Sequence, residues 1–83
     1  MTESKADIKE RLNKVFRQVF DDDSIAISEK TTARDIPGWD SLTHIILIIA
    51  VEKEFKVRFN AGDITKLQNV GEMIDLIVQR VGP

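Results

Sequence analysis

The residues best placed to do chemistry lie together in the run Trp39-Asp40-Ser41-Leu42-Thr43-His44. A serine becomes a nucleophile when a base takes its proton and an acid orients that base. Asp40, Ser41 and His44 supply these residue types, but their spacing argues against that use. Positions three apart on a helix share a face only roughly, and His44 falls on a flank with Leu47 and Ile48. A lone histidine on an apolar flank is more often structural than catalytic. The chain has no G-x-S-x-G elbow, phosphate-binding glycine loop or HExxH. Catalysis by this chain is therefore not expected. An Asp-Ser pair ahead of a helix is by default a cap, and what else Ser41 does depends on the elements around it.

Those elements read as helices. Ile8, Leu12, Val15, Phe16, Val19 and Phe20 form one apolar stripe, with charged residues in the gaps. This predicts a helix over roughly residues 4–20, with Ser4 as N-cap and Asp7 in the place of a capping-box acid. Its basic residues, Arg17 among them, are expected to be solvated. Asp21-Asp22-Asp23-Ser24 ends this helix and opens a connection of about 20 residues, a length generally functional or disordered in so small a chain. Ile25, Ile27 and Ile36 are expected to pin it to the core. Pro37-Gly38 signals a turn, proline presetting its backbone angle and glycine taking the left-handed position.

A second helix is expected from Ser41 to Phe55, and it is apolar nearly all round. His44, Leu47, Ile48, Val51 and Phe55 make one arc, and Leu42, Ile45, Ile46 and Ile49 make another. Such a helix is either central in its fold or partly exposed for a partner. Beyond it, Val57 and Phe59 are expected to reach the core. Asn60 caps a short helix to about Lys66, with Ile64 and Leu67 buried, and Asn69 caps a last helix from Val70 to about Val81, stopped by Gly82-Pro83. The predicted fold is all-α, a small four-helix bundle of three longer helices and one short, with residues 1–83 as a single domain.

Composition narrows the function classes. Of 83 residues, 42% are hydrophobic and 31% charged, which suits a globular chain. The absence of cysteine rules out a disulfide framework and a thiolate site, and one histidine cannot build a multi-histidine metal site. Asp21 to Asp23 lack the spaced ligands of a calcium loop and read as a solvated charge run. The net charge is −2, with no basic stripe to follow a phosphate backbone, so nucleic-acid binding is not expected. Neither a signal peptide nor a run long enough to span a bilayer is found, and a cytoplasmic monomer without membrane insertion is the expectation.

Several features occur together: Asp40-Ser41-Leu42 after a Pro-Gly turn, an apolar helix closing in Glu52-Lys53-Glu54-Phe55, one helix before it and two after. In this the chain resembles the acyl carrier protein family over essentially its whole length. The resemblance implies that Ser41 carries 4′-phosphopantetheine, delivered from coenzyme A by a phosphopantetheinyl transferase. Asp40 would then engage that enzyme and its Mg²⁺. It also implies a carrier that holds an acyl intermediate as a thioester and presents it to acyl-loading and acyl-transfer enzymes. An aminoacyl or peptidyl carrier and an unmodified helical interaction module are the alternatives. An anion attached at Ser41 would lie at a helix N-terminus, where unpaired N–H groups favour it.

Departures from the family's pattern point to the partners. The face of the second helix that is usually acidic reads Thr43, Ile46 and Lys53, and Trp39 stands where a small residue is usual. Leu42, Ile46 and Ile49, with Thr43, Lys53 and Trp39, are the expected partner contacts, while Trp39 is read first as a loop anchor packed over the helix end, its closeness to Ser41 leaving both roles open. Buried apolar anchors hold complexes, whereas charge mainly guides encounter. The expected setting is a dedicated partner set in specialised lipid, polysaccharide or secondary-metabolite metabolism.

Overall fold

The computed structural model describes residues 4–81. Among them are four helices and no strand: α1 Lys5–Phe20, α2 Ser41–Phe55, α3 Ala61–Thr65 and α4 Val70–Val81. The caps fall where local chemistry puts them. Ser4 Oγ accepts from the Asp7 N–H, Asn60 Oδ1 from the Asp63 N–H, and Asn69 Oδ1 from the Glu72 N–H. Each satisfies a donor that a helix start leaves unpaired. Gly82-Pro83, the expected stop, lies outside the described residues.

One face of α1 packs on α2 and α4. Ile8, Leu12, Phe16, Leu47, Val51, Val70, Met73 and Ile77 are fully buried in a single continuous cluster. Fully burying each such side chain is worth about 1.5–3 kcal/mol. Helices α1 and α2 run antiparallel. Arg11 of α1 donates to the Glu54 side chain and carbonyl at the end of α2, while Phe16 meets Trp39 just before its start. The Arg11 guanidinium also lies 4.5 Å over the Phe55 ring.

The long connection is ordered, as its isoleucines suggested. Ile27 and Ile36 are buried and Ile25 packs against the core. Helix α1 also contributes polar staples: Asn13 Oδ1 accepts from the Ile27 N–H at 2.7 Å, and Arg17 Nε donates to the Ile25 carbonyl at 2.8 Å. Arg17 is thus half-buried and engaged, where a solvated cation was expected. The reason is tertiary: the returning loop presents a carbonyl that helix periodicity cannot reveal. Ile64 and Leu67, expected in the core, are only half-buried at its margin, because α3 is too short to cover a full face.

The same loop closes onto the start of α4. The Val70 N–H donates to the Thr31 carbonyl and the Gly71 N–H to the Glu29 carbonyl, each at 2.9 Å. This approach depends on glycine: a Cβ on Gly71 would lie 2.8 Å from the Glu29 carbonyl oxygen. Gly71→Ala gains about 1 kcal/mol of helix propensity. It also forces a backbone shift of the kind that costs about 1–3 kcal/mol, besides straining both loop hydrogen bonds. Net destabilisation is the expected outcome of a urea melt; a Gly71→Ala variant more stable than wild type would show that the loop yields freely.

Candidate functional site

Ser41 is the first residue of α2, and three devices hold it there. The Ile36-Pro37-Gly38-Trp39 turn closes with the Trp39 N–H donating to the Ile36 carbonyl at 3.2 Å. Gly38 sits at φ +89°, the left-handed value that the third position of a type II turn requires. Trp39 then packs edge-on against Phe16, ring centroids 5.2 Å apart, and leans on Phe20 at 6.3 Å. Its indole N–H donates to His44 Nδ1 at 3.1 Å. Trp39 is therefore a loop anchor in this fold, and His44 is occupied as an acceptor.

The cap of α2 is Asp40, not Ser41. Asp40 Oδ1 accepts from the Leu42 and Thr43 N–H groups at 3.1 and 2.9 Å, and the Asp40 N–H donates back to Thr43 Oγ1 at 2.7 Å. The one proton of the Thr43 hydroxyl lies within donating distance of both the Gly38 carbonyl, at 2.6 Å, and Asp40 Oδ1, at 3.0 Å, joining cap and turn. Thr43, expected to meet partners, thus has its hydroxyl committed within the chain. The expectation of unpaired N–H groups beside Ser41 needs correcting in the same way: the Leu42 and Thr43 amides are already satisfied by Asp40.

These bonds act on the Asp40 carboxyl. The Thr43 amide and hydroxyl, and then the Leu42 amide, hold it below the usual carboxylate range. A depressed folded-state pKa means that this stabilisation is present above about pH 4, the unfolded carboxylate value. It is lost as pH falls through the lower folded value. The melting temperature of Asp40→Ala is expected to lie a few degrees below wild type at neutral pH. That gap should narrow as the pH is lowered into the acid range; a constant gap would mean that the ionised carboxyl contributes nothing.

With the cap supplied by Asp40, the Ser41 hydroxyl is left exposed and has no hydrogen-bond partner among the described residues. The other serines are all engaged: Ser4 in the α1 cap, Ser24 on Asp22 and Ser28 on Thr31. Ser41 opens onto a cleft of about 580 Å³ walled by Trp39, His44, Ile45, Ile64 and Leu67. A free hydroxyl at the mouth of a largely apolar cleft suits an acceptor for a bulky phosphoester-linked group. Among the described residues no group of three or more His, Cys, Asp or Glu side chains could hold a metal ion. No helix among them is long and apolar enough to cross a membrane.

The other predicted residues divide cleanly on α2. Leu47, Ile48, Val51 and Phe55 face the core, while Leu42 is 70% exposed, Ile46 and Ile49 48% each, and Ile45 56%. Lys53 is exposed on the same side. Ile45 was in the outer arc by spacing but not among the expected contacts, although it lies three positions after Leu42 and four before Ile49. The cleft walls Ile64 and Leu67 were not legible as site residues, since they come from another element.

The sequence pattern described as "Phosphopantetheine attachment site" matches residues 10–77. The chain belongs to the acyl carrier protein family. It is 31% identical over 77 residues to the acyl carrier protein of Phenylobacterium zucineum, covering 93% of this chain and 98% of that one. Acyl carrier protein of Caulobacter vibrioides is 31% identical over 75 residues, covering 90% and 96%. The fold is similar to the solution structure of holo acyl carrier protein from Geobacter metallireducens, with a TM-score of 0.84 and 44% identity over 89% of this chain and 85% of that one. The chain is accordingly an acyl carrier, not an enzyme, and its prosthetic group is 4′-phosphopantetheine. That group supplies a terminal thiol, which this cysteine-free chain lacks.

Proposed function

We propose that this acyl carrier is modified on Ser41, residues 1–83 forming one carrier domain, and that it serves as a monomeric shuttle for acyl groups held as thioesters. The observation that carries the assignment is that Ser41 alone among Ser4, Ser24, Ser28 and Ser41 has an exposed hydroxyl without a hydrogen-bond partner among the described residues. Support comes from its place at the mouth of the cleft and from the Asp40 cap, which leaves the serine side chain idle. Asp40, exposed beside it, is the group a phosphopantetheinyl transferase and its Mg²⁺ would meet. The names of its relatives favour an acyl over an aminoacyl cargo.

The pathway is a specialised one, of lipid, polysaccharide or secondary metabolites, with its own loading and transfer enzymes. The outer face of α2 supports this: Leu42, Ile46 and Ile49 are exposed with Lys53 in line, and Trp39 closes its start. Enzymes that meet this face gain more from apolar contact than from charge attraction. Incubation with coenzyme A and a broad-specificity phosphopantetheinyl transferase tests the attachment. Intact mass should rise by one phosphopantetheine, located by peptide mapping to Ser41. A gain on any other residue, or none, would sink the assignment.

A further inference from the structure

The outer face of α2 does not end at Ile49. Leu42, Ile46, Ile49 and Lys53 follow one another at helical spacing, and across the helix end a surface hollow of about 440 Å³, lined also by Glu52 and Val57, joins Ile49 to Lys53, Lys56 and Arg58. All three cations are exposed. Among the described residues none of them pairs with a carboxylate. Of the two acids nearby, Glu54 is paired with a cation, whereas Glu52 meets a backbone N–H and lines the hollow itself. Glu52 Oε2 accepts from the Phe59 N–H at 2.8 Å, and Glu54 pairs with Arg11 of α1. Three cations against the one Glu52 carboxylate leave the balance at this end of the stripe positive, on a molecule whose formal net charge is −2.

We propose that this stripe receives an acidic protein segment: an apolar ridge that lies along Leu42, Ile46 and Ile49, bordered by carboxylates that reach Lys53, Lys56 and Arg58. The proposal rests on the reading of Ser41 as the attachment point, since it places the partner's active site at the Leu42 end and its acidic border at the Arg58 end. Charge complementarity sets the direction of docking, because a reversed segment would bring its carboxylates against Asp40. An apolar face with a cationic rim would also suit an anionic bilayer. Two features favour protein: the exposed patch is one helix wide, and the exposed carboxylate of Asp40 stands at its head. A second copy of the chain, packed antiparallel on this stripe, would bring the single carboxylate of Asp40 to three cations and leave most of that charge unmatched.

The test uses the full chain and two synthetic helical peptides with one leucine stripe, flanked by glutamates in one and by lysines in the other. Backbone amide shifts of the labelled carrier report both affinity and location. The glutamate peptide should bind about tenfold tighter than the lysine peptide, as expected for a few exposed ion pairs. Its shifts should centre on Ile46, Ile49 and Lys53, and its affinity should fall as salt is raised. Lys53→Glu combined with Arg58→Glu should reverse the preference, and the salt dependence of the wild type gives the same reading if that variant does not fold. Equal affinities, no binding of either peptide, or shifts centred elsewhere would overturn the proposal. So would tighter binding to phosphatidylglycerol vesicles than to the glutamate peptide, or self-association through this face in sedimentation. Loading with coenzyme A and transferase on the same sample separates the two readings. A loaded Ser41 with no charge preference refutes only the acidic partner, and an unloaded Ser41 refutes the attachment itself.

Discussion

Ser41→Ala is expected to remove the whole of the mass gain from coenzyme A while leaving the melting curve where it was. The two halves of this result have separate causes. The hydroxyl is the acceptor, and alanine has none, so loading falls to zero instead of slowing. Stability is held by the neighbouring residue: Asp40 caps α2, and the Ser41 side chain makes no hydrogen bond among the described residues. Alanine is also a good helix former at an exposed first position. The change in unfolding free energy should stay within about 0.5 kcal/mol, the usual range for a surface substitution away from caps and core. Circular dichroism melts and intact mass on the same preparations check both halves. Residual loading in the variant would mean that another hydroxyl accepts the group, despite the bonds that occupy Ser4, Ser24 and Ser28.

The second large effect is a contrast between adjacent positions. Leu47→Glu and Ile46→Glu make the same kind of chemical change one residue apart on α2, and should have opposite consequences. Leu47 is fully buried, so its loss removes core contacts and places a carboxylate where no partner exists. A cost above about 4 kcal/mol is expected, a large share of the roughly 5–15 kcal/mol typical of a folded domain. A urea melt should show the protein largely unfolded or close to it. Ile46 is 48% exposed, and Ile46→Glu should change stability by less than about 1 kcal/mol. Its effect should appear instead in acyl transfer to the cognate enzyme, slowed more than about tenfold if Ile46 is an apolar anchor of that complex. If the two variants melt alike, the division of α2 into a core face and a partner face is wrong.

That division shows where sequence reasoning was sufficient and where it was not. Periodicity alone separated His44-Leu47-Ile48-Val51-Phe55 from Leu42-Ile45-Ile46-Ile49, because both sets repeat at helical spacing. It could not say which set was inside, since each is as apolar as the other. Packing decided it: α1 and α4 offer one shared core, and Trp39 and Phe16 hold α2 in one rotation about its axis. Arg17 departs from its expected solvation for a related reason. Its partner, the Ile25 carbonyl, reaches it only through the fold of the loop. The Asp40-Ser41 pair was legible as a helix start, but not which of the two supplies the cap, because either side chain can do so.

Residue order alone was enough for the four helices, the caps of α1, α3 and α4, the Pro-Gly turn and the resemblance that points to Ser41. These depend on local spacing and on residue types whose preferences act over a few positions. It took the folded chain to show that Ser41 is the serine whose side chain has no hydrogen bond among the described residues, that Ile64 and Leu67 line the cleft it opens onto, and that Lys53, Lys56 and Arg58 continue the outer stripe of α2. Each of these depends on which distant groups are brought together and which donors and charges are satisfied there. Helical spacing cannot count such partners; the packed chain does.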